Sequence, residues 1–193
     1  MRFKHLRRKK PTHSPAPYDP PEYGAKVQYA PVEETTKQLS DAEIKLLQEV
    51  VGVFLYYVRA LDNTMLVSTN NLASAQTKGT SKTLEAREHL LDYAATHPIA
   101  KLRYHASGMI LHIHSDSSYL SISNSRSQAR GYFFFLDNQQ ELAKAYLNAP
   151  IYAVCTIIKN VMASTTETEI AAAFINAQEA IPIRCAVKFL GHK

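Results

Sequence analysis

The chain has 193 residues, 46% hydrophobic and 20% charged, enough for one buried core with an appended segment. Its two cysteines, Cys155 and Cys185, match no C-x-x-C spacing, which excludes a zinc ribbon or disulfide framework and predicts free thiols in a reducing compartment. No apolar run reaches the roughly 18 uncharged residues of a membrane span, and MRFKHLRRKK lacks a signal peptide's apolar middle, so the expectation is a globular, intracellular chain, cytoplasmic or nuclear, not secreted and with no membrane partner.

Charge is concentrated at the start. Six of the 22 Lys and Arg lie in the first ten residues with no acid among them, so removing six charges from the net +5 leaves the rest at −1. Such an arm can hold phosphates or act as a localisation signal, and it also fits a solvated linker. Residues 1–40 carry six of the nine prolines. Proline removes backbone donors and disfavours helix in the residue before it, so this segment reads as a basic, Pro-rich, extended lead-in.

A helical segment over 41–100 follows. Ser40-Asp41-Ala42-Glu43 fits a capping box. Ile44, Leu47, Val51, Phe54 and Val58 then recur at helical spacing, one face of an amphipathic helix. A short helix is predicted near 64–75 and a firmer one from about Lys82 to Thr96, stopped by Pro98. The loop Lys78-Gly79-Thr80 between them could meet a phosphate or could simply turn the chain and cap the next helix. No strand precedes it, as a phosphate-binding loop requires.

From 101 to 193 the pattern changes. Met109, Leu111 and Ile113 alternate with Ile110, His112, His114 and Asp116, a strand with Asp116 at its end. Tyr132-Phe133-Phe134-Phe135-Leu136 forms a second strand, closed by the turn Asp137-Asn138, its rings reading as sheet core rather than a base-stacking platform. Pro150 introduces a third, Ile151 to Ile158. An alanine-rich helix runs from about Ser164 to Pro182, with a further helical piece ending at Gly191. The fold class is therefore α/β in the α+β sense: N-terminal helices, a three-stranded antiparallel start and a following helix.

This order sets Asp116 on the first strand against Glu167 or Glu169 in the first turns of the last helix. Paired carboxylates repel unless a cation lies between them, and hard divalent ions take such oxygen ligands. The bland alternatives are a turn aspartate and acids favoured by the helix macrodipole. His112 and His114 share the Asp116 side and could join a transition-metal site or be ordinary strand histidines. The seven serines from Ser115 to Ser127 accompany no G-x-S-x-G elbow and read as loop polarity.

Three blocks in this region resemble the RNase H domain of copia-type retrotransposon polyproteins. LHIHSDSSY supplies Ser115, Asp116 and Tyr119 for a Ser-Asp-x-x-aromatic strand end. SRSQARGYFFFLD resembles the Arg-Ser-x-x-Gly-Tyr-x-Phe hairpin through Arg126, Ser127, Gly131 and Tyr132. ASTTETEIAA resembles the Ser-Ser-Thr-Glu-Ala-Glu-Tyr helix start. Upstream, VVGVFLYYVRALDNTML is similar to the segment after the family's polymerase, LLDYAATHP to the helix before the first RNase H strand, and PPEYGAKVQYA to the linker before that.

The resemblance implies an incomplete RNase H-like fold behind a reverse transcriptase connection region. Its parent would cleave the RNA strand of RNA/DNA hybrids by two-metal hydrolysis with Mg²⁺ or Mn²⁺. Asp116 and Glu169 are then the catalytic metal ligands and Glu167 the acid behind them, with Arg126, Ser127 and Arg130 as substrate-binding candidates. The family also uses a third carboxylate in a downstream Thr-Asp-Asn-like strand, whereas no Asp follows Asp137 here and the polymerase's paired aspartates are absent. The expectation is a fragment, inactive alone, that meets an RNA/DNA hybrid or other nucleic acid. The alternative is a non-catalytic remnant that binds nucleic acid through its arm or self-associates through an exposed sheet edge.

Overall fold

The computed structural model describes residues 11–18, 37–122, 125–136 and 148–192. The chain divides into two compact units at Lys101 and Leu102. The basic arm and the expected Asp137-Asn138 turn lie outside the described residues.

The first unit is helical: α1 (Asp41–Ala60), a 3₁₀ turn (Asn63–Met65), α2 (Leu66–Ser74) and α3 (Ser81–Thr96). Ser40 and Glu43 form the expected capping box, with the Ser40 N–H donating to Glu43 Oε2 at 2.8 Å. Leu47, Val50, Val51 and Val58 are buried along one face of α1. Lys78-Gly79-Thr80 resolves as turn and cap: Gly79 O accepts Leu39 N–H at 3.0 Å, and Thr80 caps α3. The described part of the Pro-rich lead-in is tied down, because Thr12 N–H donates to Thr96 Oγ1 at 3.1 Å, His13 Nδ1 meets His97 Nε2 at 3.2 Å, and His89 Nε2 lies 2.9 Å from Ser14 O.

The second unit is a three-stranded antiparallel sheet, β1 (Ile110–Ile122), β2 (Arg126–Leu136) and β3 (Tyr152–Ile157), in the order β1-β2-β3, followed by α4 (Thr165–Phe189). The described residues thus form a mixed α+β structure. α4 packs on β1 and β2. One cluster joins Ala129, Ile158, Met162 and Ala172; a second joins Phe133, Val154 and Ala180, with Leu111, Ile175 and Ile183 against it. The aromatic run is core, as read, with Phe133 fully buried.

Three elements differ from the sequence expectation. β1 continues six residues past Asp116 to Ile122, because ladder pairing with β2 outweighs the weak strand preference of its serines. β2 begins at Arg126 rather than Tyr132, so Arg126, Ser127 and Arg130 lie in a strand and not in the hairpin turn. α4 runs through Pro182 without ending there. Proline in a helix interior costs about 3 kcal/mol, but Ala180, Ile183 and Val187 hold the helix inward on both sides of it.

Candidate functional site

Asn176 fixes which way the predicted site residues face. It is 1% exposed in the middle of α4. Its Nδ2 donates to Ser115 Oγ of β1 at 2.8 Å and to the Arg130 carbonyl of β2 at 2.9 Å. Ser115 and Gly131 are register partners, and a Cβ on Gly131 would fall 2.1 Å from Asn176 Oδ1. Only a residue without a side chain lets the helix approach the sheet this closely.

Because strand side chains alternate, Ser115 facing α4 turns Asp116 to the other face. Its register partner there is Arg130. His112 and His114 share that face, where His114 packs edge-on against Phe134, their ring centroids 5.3 Å apart. Arg130 Nε donates to Gln128 Oε1 at 3.2 Å. Burial pushes the Tyr132 hydroxyl above its ordinary range, with the Cys155 thiol adding to the shift and Arg130 opposing it. Asp116 is therefore a mid-strand residue on a face of histidine, arginine and aromatic side chains, not a turn aspartate at a strand end.

Glu169 is exposed in the first turns of the helix that covers the opposite face. Glu167, beside it, secures the helix start: its Oε2 accepts the Ala163 N–H at 2.6 Å, and its own N–H donates to Ser164 Oγ at 3.1 Å. Tyr119 adds a tie from β1 to the same corner, donating to Ala163 O at 3.2 Å. In this arrangement Asp116 and Glu169 do not converge on one cation position. Among the described residues no group of three His, Cys, Asp or Glu is set to hold a metal.

Of the three substrate-binding candidates, Arg126 is exposed and Arg130 partly so. Ser127 is fully buried and structural. Its Oγ accepts the Leu120 N–H at 3.0 Å, where β1 breaks register between Ser118 and Ile122 and Leu120 takes a φ of 46°. The serine meets an amide that the bulge takes out of the ladder.

Sequence reasoning missed Asn176. The available signal was a single amide side chain four residues after Ala172, on the side of an alanine-rich helix that must meet a sheet. It also passed over α4 as a membrane candidate: by length and composition alone this helix could cross a bilayer. Its inner face, however, seats Thr168 and Asn176 against the sheet, and these polar groups suit a helix on a protein surface better than one in hydrocarbon.

No family model, curated protein or solved structure matches this chain.

Proposed function

We propose that the second unit is an RNase H-like module of copia-type retroelement ancestry, corresponding to the part of that fold that carries the first two motif carboxylates. Its parent activity is hydrolysis of the RNA strand of RNA/DNA hybrids with Mg²⁺ or Mn²⁺, and this chain alone is catalytically silent. One observation carries the ancestry. The three motif blocks fall on three elements that pack as one unit, with Ser115 of the first block paired to Gly131 of the second, and both held by Asn176 of the helix that the third block opens.

Silence follows from the donors. Two-metal hydrolysis needs carboxylates that converge on both ions, whereas Asp116 and Glu169 lie on opposite sides of the sheet. What remains is binding. RNase H-like folds meet a hybrid through its backbone and 2′-hydroxyls, so sequence preference should be slight. The second reading, a nucleic-acid-binding remnant driven by the basic arm, is favoured by the six Lys and Arg of residues 1–10.

The test incubates the chain with a labelled RNA/DNA hybrid and Mg²⁺ or Mn²⁺, beside Asp116→Asn. The expected result is no cleavage by either protein. Cleavage that Asp116→Asn abolishes would overturn the silence and support the ancestry. Hybrid binding that survives Asp116→Asn but loses roughly five units of salt slope when residues 1–10 are removed would assign binding to the arm.

A further inference from the structure

α4 presents two faces, and the outer one carries large apolar residues. The inner face is Thr168, Ala172, Asn176 and Ala180, all buried on the sheet. At 100° per residue the opposite side holds Ile170, Phe174, Ala177, Ile181 and Cys185, spaced by four, three, four and four. Ile170 is 66% exposed, Phe174 62% and Ile181 61%, and the Cys185 thiol is free and exposed. This near-heptad spacing is the seam pattern of two packed helices. Among the described residues of this unit no element covers it.

The order of residues along the stripe suits an antiparallel second copy of the helix. Reversing the helix about a point between Ala177 and Gln178 sets Phe174 opposite Ile181, Ile170 opposite Cys185, and Ala177 near its own symmetry mate. The same operation brings Glu167 opposite Lys188 at each end, both exposed and on the same side as the stripe. Glu167 retains one carboxylate oxygen for this after Oε2 caps Ala163. A parallel pair would instead set Glu167 against Glu167 and Lys188 against Lys188. An anionic lipid surface would meet Glu167 and Glu169 in the first turns, which it repels.

We infer that a second copy of this chain docks on the outer face of α4, antiparallel and two-fold symmetric, with Phe174 and Ile181 interlocked at the centre. The contact is isologous, as two-fold dimers require, and small Ala177 at the crossing lets the helices approach to about 8–10 Å. Large side chains at these exposures offer roughly 100–150 Å² each. The whole stripe offers about 600 Å² per chain, somewhat below the ~800 Å² per partner of a standard interface. An interface of that size belongs with reversible, transient contacts rather than obligate ones. The inference does not depend on the retroelement reading.

Sedimentation equilibrium of the full chain under reducing conditions, from about 5 to 500 µM, tests it. The wild type should pass from monomer to dimer. Phe174→Glu, at an exposed position, should keep the wild-type circular dichroism and weaken the dimer by about 30-fold or more. Under mild oxidation Ala177→Cys should cross-link to itself at the two-fold axis. A monomer throughout, a dimer that survives Phe174→Glu, or a wild-type dimer in which Ala177→Cys fails to cross-link would each overturn the proposal.

Discussion

α1 and α4 solve the same problem in opposite ways. In α1 the large apolar residues Leu47, Val50, Val51 and Val58 are inside. In α4 the residues against the middle of the sheet are the small or polar Thr168, Ala172, Asn176 and Ala180, flanked by Ile175, Ile183 and Val187, while Ile170, Phe174 and Ile181 face outward. The difference comes from the partner. α1 packs chiefly on α2, and helices can stand about 8–10 Å apart with large side chains between them. α4 lies over Gly131, whose position leaves no room even for a Cβ beside Asn176. A larger residue at position 176 itself would lift the helix off the sheet there.

Truncation at matched positions gives the sharpest break of this comparison. Leu47→Ala should cost about 2–5 kcal/mol, since Leu47 is fully buried. Phe174→Ala, a larger deletion at an exposed site, should change monomer stability by no more than about 0.5 kcal/mol. Urea unfolding with a probe in each unit reads both, and equal costs would remove the distinction between the helices.

The joint under α4 comes next in size. Asn176→Ala leaves the Arg130 carbonyl and the Ser115 hydroxyl without their shared donor, and the loss should be about 1–3 kcal/mol. Gly131→Ala attacks the same joint from the sheet and should cost a similar ~1–3 kcal/mol through overpacking. Combining it with Asn176→Ala should recover part of that cost, because the added methyl then has space. Strict additivity of the two would mean that the collision is relieved elsewhere.

The smallest effect lies at the start of α1. The Ser40 hydrogen bonds hold the Glu43 carboxyl below the ordinary glutamate range. A lowered folded-state value means that the capping contribution is present above about pH 4.5 and is lost as pH falls through the folded value. Glu43→Gln should flatten that acid-side slope, and amide exchange in the first turn of α1 measures it. An unchanged slope would show that Ser40 caps without the carboxylate.

These contrasts also mark what the sequence could tell. The Ser40 box and the regular stripe behind it are local signals, and they located α1 to within a residue or two at its start. The change to alternation located the sheet, and Ser164 located the start of α4. The readings that changed depend on partners distant in the chain. Asp116 read as a strand end because serines follow it, yet β2 pairs with those serines. Pro182 read as a stop because the packing of Ala180 and Ile183 on the sheet is not a local property. The facing of Asp116 away from Glu169 depends on Asn176, whose meaning emerges only once Ser115 and Arg130 are brought beneath it.

The central claim is that Asp116 and Glu169 do not share a cation, and Mn²⁺ titration followed by NMR tests it most directly. Amide signals around Asp116 and around Glu169 would be monitored in the wild type and in Asp116→Asn. The account predicts that the variant leaves Mn²⁺ broadening near Glu169 unchanged. Saturable broadening of both regions at one Mn²⁺ affinity, abolished near Glu169 by Asp116→Asn, would contradict it.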